Sequence, residues 1–152
     1  MTRFIQALLT GMLFALVFDF FIFLGIFQNY IRANNIDVYY NILFADHQNI
    51  FLFIALSILL GLLLIYTQSV KFQFFLVMIL LLASFAPLIP SLGESLAKKM
   101  FMQKNITLHV ANQTYNGEIY YNGRTALYFN DTSTATKILK FKKEDLTDET
   151  YN

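Results

Sequence analysis

Asp19 is the one carboxylate inside the long apolar runs of this chain, so its chemistry depends on what surrounds it. It lies within Phe4–Phe27, about 5 Å by helical rise from the middle of that run. An ionised aspartate at such a depth in lipid costs about 3 kcal/mol on insertion scales. The side chain must therefore be protonated, paired or turned toward protein. A functional reading makes it a proton or cation relay, or a charge that docks a basic residue of a partner helix. The alternative is a neutral acid hydrogen-bonded to Ser57, Ser84 or a backbone carbonyl. No lysine or arginine lies at matching depth in the other apolar runs, so a cationic partner would belong to another chain.

The two histidines offer less. Asp46-His47 in a polar and aromatic stretch is a weak metal or proton signal, and an interfacial hydrogen bond is the simpler expectation. His109 alternates with Leu108 and Val110, which puts it on the outer face of a strand. Lys140, Lys142 and Lys143, with Lys137, form a basic run that could touch anionic headgroups or RNA. Glu144, Asp145, Asp148 and Glu149 follow at once and offset it, so a solvated strand edge is expected, where lysines also discourage unwanted pairing.

Catalytic signatures are missing. No serine sits in an elbow-type turn, the six glycines are scattered and form no phosphate-cradling loop, and cysteine is absent. No catalytic residue, cofactor site or metal site is expected. The net charge of +1 does not imply nucleic acid as a partner.

The elements that would position these residues are mostly apolar. Hydrophobic residues make up 57% of the 152, above the share of about 45–50% usual in soluble domains. Phe4–Phe27, Ile50–Thr67 and Phe72–Pro90 are each expected to be long enough to cross a bilayer, against the roughly 20 residues that a crossing takes. The expected class is an α+β membrane protein, with three transmembrane helices in residues 1–93, an amphipathic linker helix in 94–104 and a small antiparallel β domain in 105–152. The first run exceeds a signal-peptide core and reads as an uncleaved helix. Between the first two spans, Gln28–Asn49 mixes tyrosines with polar residues and should lie along the interface, with room for a short surface helix.

A turn of a few residues around Gln68–Lys71 makes the second and third spans antiparallel neighbours. Ser57 and Gly61 form a small-xxx-small pair that lets helices approach closely, with Ala83, Ser84 and Ala86 as the expected match on the third span. Pro87 and Pro90 should kink or stop that span. Ser91 and Glu94 have capping-box spacing for a helix over Leu92–Gln103.

From Asn105 the period changes to two. Ile106, Leu108 and Val110 share one face, Tyr115, Ile119 and Tyr121 a second strand's face, then Leu127 with Phe129 and Leu139 with Phe141. Asn122-Gly123 predicts a type I′ hairpin, and a further turn is expected within Asn130–Thr134. This run of strands and its hairpin resembles the opening of small SH3-like or Sm-like barrels. The resemblance implies a closed sheet and little about function.

Lysine and arginine counts near the span ends favour a cytoplasmic C-terminal domain, with Arg32, Lys98, Lys99 and Lys104 on its side against Arg3 and Lys71. The first helix taken alone, with Arg3 before it, argues for an N-terminus inside. The expected function is a non-catalytic accessory or assembly subunit of a larger bacterial-type inner-membrane complex. Its partners would be the lipid bilayer and other membrane subunits or copies of itself. An ion- or proton-coupled transport component using Asp19 is the alternative, and a tethered lipid- or nucleic-acid-binding module a third.

Overall fold

The computed structural model describes residues 2–110, 113–131 and 138–146. Five helices precede a four-stranded sheet: α1 (Thr2–Ile26), α2 (Tyr40–His47), α3 (Ile50–Tyr66), α4 (Val70–Phe85) and α5 (Pro90–Phe101). The sequence predicted four helices and room for another, and α2 is that addition. A π-helical stretch, Phe27–Arg32, continues α1 without a break, giving a 31-residue rod. This rod and Val70–Leu88 are long and apolar enough to cross a membrane. α3 has 17 residues and meets α2 at a bend of 83°.

α1 and α3 pack closest. A Cβ on Gly11 would collide with the carbonyl of Ser57, and one on Gly61 with the carbonyl of Ala7, so the missing side chains set the helix separation. These pairings run antiparallel: residue 11 meets 57, and residue 7 meets 61. The match for Ser57-xxx-Gly61 is thus Ala7-xxx-Gly11 on the first helix. Ser84 is buried on α4 but donates to its own Leu81 carbonyl at 2.8 Å, and Ala83 is exposed. α3 and α4 meet at the turn, where Gln73 Nε2 donates to the carbonyls of Leu64 (2.8 Å) and Thr67 (2.7 Å), and Leu80 and Leu81 of α4 pack on the cluster that holds Leu60 of α3. Farther along, α4 leans on α1, with the Phe21 and Phe85 ring centroids 4.4 Å apart.

Helix α4 ends in a 3₁₀ turn, Ala86–Leu88, and α5 starts with Pro90 at its first position. Proline there gives up no needed donor and has the required φ. It displaces the predicted capping box: the helix begins before Ser91, and no side chain caps it.

The sheet is an open antiparallel meander, β1 (Gln103–Val110), β2 (Gln113–Asn122), β3 (Ala126–Asp131) and β4 (Ile138–Lys142), in the order 1-2-3-4. Among the described residues β1 and β4 do not pair, so the sheet does not close as the barrel resemblance implied. Closure is one way to bury a sheet face, and helices covering that face are another. Here Leu108, Ile119, Leu127 and Phe129 bury one face with Phe141 and Tyr115 over them. The other face, with Tyr121, Ala126 and Tyr128, joins Phe23, Ile26, Tyr30, Leu43, Ala97 and Phe101 from the helices in a common core.

Two local expectations give way to backbone detail. The β2–β3 connection is Gly123–Thr125, with Gly123 N–H donating to Ala126 O at 3.0 Å and no glycine at positive φ, so it is not the two-residue type I′ turn. A bulge between Ile119 and Tyr121 shifts the register. Tyr121 therefore leaves the face of Ile119 and turns toward the helices, as an extra residue in one strand requires. The turn predicted within Asn130–Thr134, Lys137 and the tail from Thr147 fall wholly or partly outside the described residues.

Candidate functional site

The polar side chains that the fold gathers lie where the helix bundle meets the sheet. The π-helical stretch starts the arrangement, because its wider turn resets which residues face which way. Asn29 points at the break between α4 and α5, and its Nδ2 donates to Pro87 O at 2.8 Å and to Leu88 O at 3.0 Å. Those carbonyls belong to a helix end interrupted by proline and would otherwise lack donors. Gly25 and Gly93 close on Pro87 from either side, each without room for a Cβ. Next in sequence, the fully buried Tyr30 donates its hydroxyl to Tyr120 O on β2 at 2.9 Å, and the two rings stack with centroids 6.0 Å apart.

The segment leading to α2 reaches the sheet at several more points. Asn35 takes a positive φ of 54°, which asparagine tolerates, and turns the chain out of the rod. Tyr128 then brackets Asp37, its hydroxyl accepting from the Asp37 amide (3.0 Å) and donating to the Asp37 carbonyl (3.2 Å). Lys140 Nζ pairs with Asp37 Oδ2 at 3.1 Å and sits 5.6 Å from the Tyr128 ring centre. The bond to Asp37, then that to Tyr128, raises the Lys140 pKa above its usual value. Arg124 donates Nε to Asp46 Oδ1 at 2.7 Å, which likewise raises the guanidinium's pKa. Lys140 is thus committed to a contact within the chain, while Lys142 and Lys143 are exposed.

His47 is wedged between rings, 4.7 Å from Phe101 and 5.5 Å from Tyr121 by centroid. Its Nε2 and the Tyr121 hydroxyl are buried without a hydrogen-bond partner among the described residues. Burial first, and then the nearby Asp46, push Tyr121 up to about 12. His109 lies on the exposed strand face, as its alternation predicted, with Nδ1 3.0 Å from Thr114 Oγ1.

Asp19 is buried and accepts from Gln48 Nε2 at 3.0 Å. The partner is therefore a neutral amide of the same chain, from the bend between α2 and α3. Ser57, one of the predicted partners, donates instead to Phe53 O at 2.7 Å. Sequence reasoning missed Gln48 and Asn29 because both stand in a segment that reads as interfacial loop. Among the described residues no group of three or more metal-ligating side chains comes together.

Chemically, the junction fastens and orients. Asn29, Tyr30, Tyr128, Arg124 and Lys140 use their polar groups to hold the helices and the sheet together, and among the described residues neither histidine is joined to both a nucleophile and a carboxylate. Comparison with protein-family models, with curated proteins and with solved structures found no match to this chain.

Proposed function

We propose that this chain is a multi-pass protein of a bacterial-type inner membrane that serves as a non-catalytic accessory or assembly subunit. In this role it presents a sheet fixed at one end of a helix bundle. The observation that carries the reading is the contrast between a tightly fastened junction and bare apolar flanks. Phe4, Leu9, Leu13, Phe51, Leu52, Phe74, Phe75 and Leu82 are all more than half exposed. An apolar surface of that extent requires lipid or another protein.

The packing also supports three crossings. Gly11 on Ser57 sets α3 antiparallel to α1, and Asn29 on Pro87 brings the end of α4 back to the end of α1. If α1 spans the bilayer, α4 spans it with it, and α3 makes the third crossing together with α2 beyond the 83° bend. The sheet then shares a side with Arg32, Lys98, Lys99 and Lys104, opposite Arg3 and Lys71, and the positive-inside rule makes that side cytoplasmic.

Mild detergent extraction of the tagged full chain, followed by mass spectrometry of what co-purifies, tests the subunit reading. It expects one or more membrane proteins retained in fixed ratio, and a chain that elutes alone contradicts it. Transport through a titrating Asp19 is the lesser reading, since Gln48 already satisfies that carboxyl within the chain.

A further inference from the structure

Helix α5 leaves the break at Pro87–Leu88, where the last apolar helix ends, and together with the preceding Ile89 it carries two kinds of exposed side chain. Ile89, Leu92 and Met100 are apolar and 53%, 49% and 44% exposed. On the polar flank, Ser91, Ser95, Lys98, Lys99, Met102 and Lys104 line a cavity of about 610 Å³, with Glu94 at its wall. Glu94 is occupied by Lys98 at 2.6 Å. Lys99 and Lys104 are exposed and have no ion pair among the described residues. Two uncommitted cations and two serine hydroxyls thus face one cavity, beside apolar side chains that would enter the acyl region.

We infer that this flank of α5 binds the phosphate of an anionic phospholipid headgroup. Charge selects the ligand: two lysines beside a neutralised Lys98–Glu94 pair complement one phosphate, and the serines can donate to its oxygens. Position selects its source. α5 starts at a helix end that would lie at headgroup level, on the lysine-rich side, where anionic lipids attract basic residues. The site has meaning only if the helices span a bilayer as proposed above, and the two ideas fail differently.

Native mass spectrometry of the full chain in detergent, with phosphatidylglycerol and phosphatidylcholine as probes, reads the site. Phosphatidylglycerol should be retained in preference, and Lys99→Gln with Lys104→Gln should weaken it about 30-fold. Lys142→Gln with Lys143→Gln should leave it within about 2-fold, as those charges lie at the end of β4, on the opposite edge of the sheet from β1. Ser95→Glu, which sets a negative charge in the cavity, gives a second variant should the double lysine change misfold, and it too should weaken retention. Equal retention of the two lipids, retention insensitive to these changes, or displacement of lipid by millimolar inorganic phosphate would overturn the proposal. Release of the chain from membranes by alkaline carbonate would sink the membrane reading itself. A chain that resists carbonate yet shows no headgroup preference sinks the headgroup site alone.

Discussion

The side-chain amide of Asn29 holds two successive backbone carbonyls, Pro87 O at 2.8 Å and Leu88 O at 3.0 Å, across 58 and 59 positions of sequence. One residue thereby locks the end of the first helix to the corner from which α5 and the sheet depart. Asn29→Ala should destabilise the chain by about 1–3 kcal/mol, because two carbonyls lose their donors in a partly buried site. Asn29→Asp should cost at least as much, since a carboxylate offers acceptors to acceptors. Thermal unfolding in detergent checks this, and Asn29→Ala matching the parent's stability would remove the lock from the account.

The contact of Gly11 with Ser57 makes a second prediction. Gly11→Val forces α1 and α3 apart and should cost about 1–3 kcal/mol as overpacking, whereas Ala83→Leu, at an exposed position, should change stability by less than about 0.5 kcal/mol. The reverse order in the same melting assay would place the close helix contact on α4.

For Asp19, the partner rather than the charge should matter. Asp19→Asn keeps a hydrogen bond with Gln48 and should melt within about 1 kcal/mol of the parent. Gln48→Leu strands a buried carboxyl and should cost about 1–3 kcal/mol. Co-purification of partners should survive Asp19→Asn, and its loss would restore the docking charge that the sequence suggested.

Tyr121 ties stability to alkaline pH. Its folded-state pKa of about 12 lies above the ordinary 10.0, so the fold favours the protonated phenol. That contribution is complete below pH 10.0 and is lost as pH rises from there toward about 12. Tyr121→Phe removes a buried hydroxyl that lacks a partner among the described residues, and so should leave neutral-pH stability equal or higher and flatten the decline above pH 10.0. An identical alkaline profile for parent and variant would show that Tyr121 does not carry the dependence.

Local patterns were legible in the residues, and long-range pairings were not. Apolar runs marked the helices, the proline pair marked the corner, and alternation located four strands close to their observed places. The bulge that turns Tyr121 toward the helices changes a face without changing composition, so alternation alone misassigned it. Ser57 and Gly61 were recognisable as a packing pair, but their spacing matches several small-residue patches. The choice of Ala7 and Gly11 is made by the whole bundle. Gln48 and Asn29 carry no local signal, because a polar residue at a helix end reads as solvent-facing until the fold brings an acceptor to it. Pro90 prevailed over Ser91 at the start of α5 since its fixed φ starts the helix at Pro90, two residues before the predicted Leu92.

The proposed role depends most directly on where the helix ends lie relative to the membrane. The chain has no cysteine, so single cysteines at Thr2, Ser69 and His109 report cleanly with an impermeant thiol reagent. Thr2→Cys and Ser69→Cys should label from one side and His109→Cys from the other, as three crossings with the sheet held at the end of α1 require. Labelling of Ser69→Cys from the same side as His109→Cys would contradict both the crossings and the junction on which the proposed function rests.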